Sequence, residues 1–128
     1  MTNPLETNKA VVREFYDLAF NQGQPAEAVA RCVGSYYRQH NPQAPDGTDA
    51  FIAFVTGFTQ AFPGLHVDIK RVIAEGDFVV THSHFTREPT DPGMAVMDIF
   101  RLEEGKVVEH WDVLQDIPAT SANSNTMF

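Results

Sequence analysis

The spacing of hydrophobic positions changes near residue 64. Before it they recur every three or four residues, and after it they alternate. Between Thr7 and Phe20, the residues Val11, Val12, Phe15, Leu18 and Ala19 fall on one side of a helix. The stretch "NQGQP" ends that helix, with Gly23 as the stop. Pro25 opens a second, short helix, "PAEAVARCV", at the first-turn position that proline tolerates, and Gly34 closes it. "SYYRQHNPQAPDGTD" reads as a short extended piece running into a loop. A third helix is predicted from about Thr48 to Phe62, with a stripe of Phe51, Phe54, Val55, Phe58 and Phe62.

Four alternating segments follow: "HVDIKRVIAEG", "FVVTHSHFTRE", "MAVMDIFRLEEG" and "KVVEHWDVLQDI". Short glycine turns, "EGD" and "EEGK", separate two neighbouring pairs, and the proline-rich "PTDPG" links the middle two. Helices first and strands last predict an α+β fold, with helices on one face of an antiparallel sheet. Residues 1–118 form one domain in this reading, and 119–128 form a polar, loosely draped tail. The strands are long enough for the sheet to curl around the third helix and leave a cavity.

The last strand raises a chemical question, because "EHWDV" sets a histidine and two acids among valines and a tryptophan. Residues two apart on a strand share a face. His110 and Asp112 therefore lie with Val108 and Leu114, while Glu109, Trp111, Val113 and Gln115 lie opposite. Asp98 shares a face with Val96 and Phe100, and His82 and His84 share one with Phe78 and Val80. If these strands are adjacent, one sheet face gathers His82, His84, Asp98, His110 and Asp112. Burying such groups is costly unless they are paired. An apolar cavity with a few convergent ionisable groups is the usual form of a small-molecule site.

Composition narrows the classes. The 128 residues suit one domain, and the net charge of −8 argues against nucleic acid and anionic membranes as partners. Cys32 is the only cysteine, which rules out an internal disulfide and fits a reducing cytoplasm. The N-terminus lacks the basic and apolar regions of a signal peptide, and no apolar run approaches the roughly 20 residues of a membrane span. A cytoplasmic protein is expected.

The pattern "FR-x-x-x-GK-x-x-EHWDV", from Phe100 to Val113, together with "YRQHNP" at 37–42, resembles the SnoaL-like polyketide cyclase family. That family lies within the nuclear-transport-factor-2-like superfamily. The resemblance spans about Asn8 to Ile117, and "YRQHNP" also resembles a motif of the subgroup predicted to be aldol-condensation enzymes. It implies a cone-shaped α+β barrel, three N-terminal helices against a strongly curved antiparallel sheet. It implies Asp112 as the general acid/base of an aldol-type ring closure. Asp98 matches the facing position, where a characterised cyclase has a histidine. The resemblance also implies a homodimer through the outer sheet face, which would present Trp111 and Val113.

These readings give a candidate site. Asp112, Asp98 and His110 are the catalytic candidates, with burial and Asp98 raising the pKa of Asp112. Tyr37, His40, His82 and His84 are candidates to bind substrate oxygens, with Phe54, Phe58 and Phe100 as apolar walls. The substrate would be apolar with carbonyl groups, and the chemistry needs no cofactor. A second reading uses His40, His82 or His84, His110 and Asp98 as zinc or iron ligands. A third is a binding domain without turnover.

Overall fold

The computed structural model describes residues 3–128. Asn3 caps helix α1 (Pro4–Tyr16) by accepting the Leu5 N–H at 3.0 Å, and Pro4 occupies the first turn. The helix continues as a single π-helical stretch, Asp17–Asn21. This widening shifts the phase of the apolar stripe. Val12, Phe15, Tyr16, Leu18, Ala19 and Phe20 all become buried, so Tyr16 and Phe20 join the face read from the sequence.

Helix α2 (Pro25–Cys32) runs directly into strand β1 (Val33–Gln39), one residue before the predicted glycine stop. Helix α3 spans Thr48–Ala61. Strands β2 (His66–Glu75), β3 (Phe78–Thr86), β4 (Met94–Glu103) and β5 (Lys106–Asp116) follow as the alternation predicts. The sheet order is β1-β5-β4-β3-β2. The last four strands pair antiparallel, and β1 adds parallel to β5, which makes the sheet mixed. The extended piece expected at 35–40 is thus part of the sheet. Irregularities in β1, β2 and β5 bend the strands.

The core lies between the helices and one face of this sheet. Phe15 packs against Phe51 in a tilted pair at 4.9 Å and meets Phe100 edge-on at 6.2 Å, so α1, α3 and β4 share one aromatic cluster. Each fully buried Phe contributes about 1.5–3 kcal/mol by leaving water. Cys32 is buried in the same core, and burial pushes its thiol up to about 11. The tail returns over the other sheet face, where the Phe128 ring lies 4.5 Å from His84 and 5.6 Å from His82. No helix of the described residues is long and apolar enough to cross a membrane.

Candidate active site

Strand register decides which polar residues meet. Thr81 pairs with Asp98, and Asp98 pairs with Asp112. Cross-strand partners share a face, so these three look inward with Phe100 and His110. His82 pairs with Met97, and Met97 pairs with Val113, so His82 looks outward. His84 looks outward too and bonds the Pro92 carbonyl at 2.7 Å. The gathering of five titratable residues is therefore corrected to three. His82 and His84 do share a face with Phe78 and Val80, but it is the opposite face.

The inner three form a bonded group with a residue the sequence reading passed over. His110 Nε2 lies 2.7 Å from Asp98 Oδ1. Tyr16 donates its hydroxyl to the same Asp98 oxygen at 2.9 Å and lies 3.0 Å from His110 Nε2. Asp98, His110 and Tyr16 are all buried. Strand β1 supplies the other side. Gln39 Oε1 lies 2.8 Å from His110 Nδ1 and accepts the Asn41 N–H at 3.0 Å. An amide oxygen only accepts, so His110 Nδ1 carries a proton. At Nε2 the ring meets both Asp98 Oδ1 and the Tyr16 hydroxyl, so both ring nitrogens are held.

Asp112 stands beside this group, toward the opening. Its Oδ2 is 3.8 Å from His110 Nε2, and its Oδ1 accepts from Asn41 Nδ2 at 2.8 Å. Burial pushes the Asp112 carboxyl above its ordinary range. Asp98 adds to that, while His110 and the Asn41 bond hold it back. Burial, with Asp98 beside them, also pushes the Tyr16 and Tyr37 phenols well above their usual value, so both stay protonated as donors.

These groups line a cavity of about 210 Å³. Phe51, Phe54 and Phe58 of α3 and Phe20 and Phe85 form its apolar walls, and Tyr37, Gln39, Asn41, His110 and Asp112 form its polar side. Tyr37, Phe54 and Phe58 thus line the space as expected. Two other expected contacts do not. Phe100 is fully buried beneath the site, 5.1 Å from both the Tyr16 and His110 rings. His40 follows Gln39 on an alternating segment, so Gln39 takes the inward position and His40 the outward one. It stacks on Trp111 at 4.6 Å and meets Glu109 Oε2 at 2.7 Å. The metal set built on His40, His82 and His84 therefore does not assemble. Asp98, His110 and Asp112 instead offer one ligand atom each, all within 4.8 Å of one another.

Five polar lining residues were not in the sequence-derived site: Tyr16, Gln39, Asn41, Gln43 and Arg87. Gln39 and Asn41 lie inside "YRQHNP", which gave a usable signal. Tyr16 sat beside the helical stripe with no chemical signature. Arg87 stood inside the predicted strand "FVVTHSHFTRE", which the structure ends one residue earlier, at Thr86.

Comparison with known proteins agrees with this architecture. A SnoaL-like domain model matches residues 12–110. Among solved structures, the chain is similar to a candidate polyketide cyclase from Bacillus cereus ATCC 10987. The identity is 22% over 84% of this chain and 74% of that one, with a TM-score of 0.73. It is similar to a candidate ketosteroid isomerase from Kribbella flavida DSM 17836, at 17% identity, 93% and 85% coverage and a TM-score of 0.72. It is also similar to TsrD from Streptomyces laurentii, at 25% identity, 83% and 89% coverage and a TM-score of 0.68. Nothing matches among curated proteins. With nearly the whole core matched, from α1 to β5, the chain belongs to the SnoaL-like domain family.

Proposed function

We propose that this protein is an enzyme that enolises a small carbonyl compound, for an aldol-type cyclisation or an isomerisation. The observation that carries the reading is the setting of Asp112. It is a carboxylate at the edge of an aromatic cavity, raised by burial, with one oxygen held by Asn41 and the other turned to His110. A raised carboxylate is a stronger base than its ordinary form and suits abstraction of a C–H proton next to a carbonyl.

In this reading Asp112 takes the α-proton, and the C–H electron pair becomes the enolate. Tyr37 donates a hydrogen bond to the enolate oxygen from the cavity wall. The enolate carbon then either attacks a second carbonyl of the substrate or is reprotonated elsewhere. Asp112 returns its proton to the new alkoxide or carbon, so the enzyme ends as it began. Asp98, Tyr16 and Gln39 fix the ring of His110 beside Asp112. No cofactor takes part in these steps. The cavity is smaller than the roughly 300–1,000 Å³ of drug-sized sites, which favours a compact substrate.

A second copy of the chain is the proposed partner. The outer sheet face carries a shallow apolar groove of about 710 Å³, with Phe78, Met97, Ile99, Trp111 and Val113 around it. Val113 is 73% exposed, and a contiguous apolar patch of this kind marks an interaction surface.

Proton exchange tests the catalytic reading directly. Ketones with acidic α-protons should exchange them for deuterium in heavy water, read by NMR. Asp112→Asn should slow that exchange by about 10²–10⁴-fold, the usual contribution of a general base. Binding of ketones with no exchange above background would leave a binding domain instead.

A further inference from the structure

Among the described residues, Arg87 is the only lysine or arginine that lines the cavity. It sits just past the end of β3, and it shares a second depression at the opening with Asn41, Asp112 and Asp116. Its surroundings leave the guanidinium under-used. Nη1 has one long contact, 3.3 Å to Asp91 Oδ2. Nη2 meets only the Met94 sulfur, at 3.8 Å. Nε has no hydrogen-bond partner among the described residues. The guanidinium lies over the Phe62 ring, 5.9 Å from its centre.

The backbone around Arg87 is fixed more firmly than its side chain. Asp91 accepts the Arg87 N–H at 2.9 Å and the Gly93 N–H at 3.0 Å, which closes the loop 87–93. Gly93 has φ +81°, and a Cβ there would come 2.1 Å from the Phe85 carbonyl oxygen. These bonds and the glycine set the path of the loop, with Arg87 at the rim. A guanidinium with free donors matches a planar carboxylate, which it can hold with two hydrogen bonds. Asp91 offsets part of the charge but occupies only one donor of the side chain.

We propose that Arg87 selects substrates bearing a carboxylate, which it binds at the cavity mouth while the acidic C–H lies beside Asp112 and the carbonyl reaches inward toward Tyr37. This deepens the enolisation reading and rests on it for the chemistry at the carbonyl end. The substrate class is then a small oxo acid rather than a neutral ketone or ester. A net charge of −8 would repel such anions, so a local cation at the mouth offsets that repulsion.

The test compares 4-oxo-4-phenylbutanoate with its methyl ester, which differ only in the anionic end. Affinity for each is measured by calorimetry on wild type, Arg87→Gln, Arg87→Lys and Asp112→Asn, with α-deuterium exchange read on the same samples. The acid should bind wild type roughly tenfold more tightly than the ester, the scale of a hydrogen bond to a charged group. Arg87→Gln should equalise the two, Arg87→Lys should keep part of the preference, and Asp112→Asn should keep all of it. Equal affinities in wild type, a preference that survives Arg87→Gln, or no binding of either probe overturns the proposal. Preferential binding of the acid without exchange overturns the enolisation reading and leaves the carboxylate site standing.

Discussion

On the inner face of the sheet, Asp98 and His110 bond each other at 2.7 Å with almost no access to water. Three residues further along β4 and one residue earlier on β5, on the outer face, Arg101 and Glu109 bond each other at 2.8 Å. The chemistry is similar and the surroundings differ. Inside, Tyr16 and Gln39 complete the pair's bonds, but a second acid, Asp112, faces Asp98 across the strands and has one hydrogen bond, from Asn41. Outside, Glu109 also receives His40, and Arg101 also reaches Glu103 and Tyr36. The outer acids are accordingly held below their ordinary range, Glu109 by its bonds to His40 and Arg101 and Glu103 by Tyr36 and Arg101. Asp112 is pushed the other way by burial. An acid that is well partnered serves structure, whereas an acid left partly unpaired beside a cavity is available for chemistry.

The sharpest way to break this contrast is to remove Asp98. Asp98→Ala leaves His110 and Tyr16 without their shared acceptor in a dry interior. A loss of about 3–5 kcal/mol is expected, as for other buried pairs cut on one side. Thermal melting reads it directly, and a Tm within about two degrees of wild type would mean the group is not a structural unit. Next in size is a charge on the outer groove. Ile99→Glu would place an unpaired carboxylate at the proposed dimer contact and should weaken association by roughly tenfold to a hundredfold. Light scattering across a dilution series checks this, and a wild type that stays monomeric at high concentration removes the dimer.

Titration sharpens the contrast further. The folded pKa of Asp112 is raised, so its ionised form costs stability once the pH rises from the ordinary Asp range through that raised value. Asp112→Asn should therefore melt higher than wild type at neutral pH, with the gain vanishing in acid. Glu109 has a lowered folded pKa, so its contribution is complete above the ordinary Glu range and is lost as pH falls through the lowered value. Glu109→Gln should melt lower at neutral pH and converge with wild type in acid. Melting curves from pH 3 to 8 would show the two variants moving in opposite directions, and parallel behaviour would refute the assignment of the faces. The smallest effect belongs to His82, which lies on the outer face. His82→Ala should change stability by no more than about 0.5 kcal/mol and leave exchange at Asp112 untouched. A large loss of exchange would return His82 to the site.

Much of the fold was legible because periodicity is a local property. The 3.6-residue stripe of Val12, Phe15 and Ala19 and the alternation of Val96, Asp98 and Phe100 each reflect one element exposing one face to water. The same alternation correctly put Asp98 with Phe100 and His110 with Asp112. It could not say which face of β3 matched them. Nothing in "FVVTHSHFT" separates Val79, Thr81, Ser83 and Phe85 from Phe78, Val80, His82 and His84 as the buried set, because both carry apolar and polar members. The pairing of Thr81 with Asp98 settles it, and a shift of one residue would have reversed the outcome.

What the sequence determined by itself, then, was the element order, the α+β class, the family pattern of "EHWDV" and the pairing of His110 with Asp112 on one face. Tertiary structure alone brought Tyr16, 82 residues before Asp98, to within 2.9 Å of it. It also laid β1 beside β5, so that Gln39 and Asn41 could hold His110 and Asp112. Local preferences reach only a few residues along the chain. A site built from a helix, an added parallel strand and a hairpin exists only once the core has closed and the strand register is fixed.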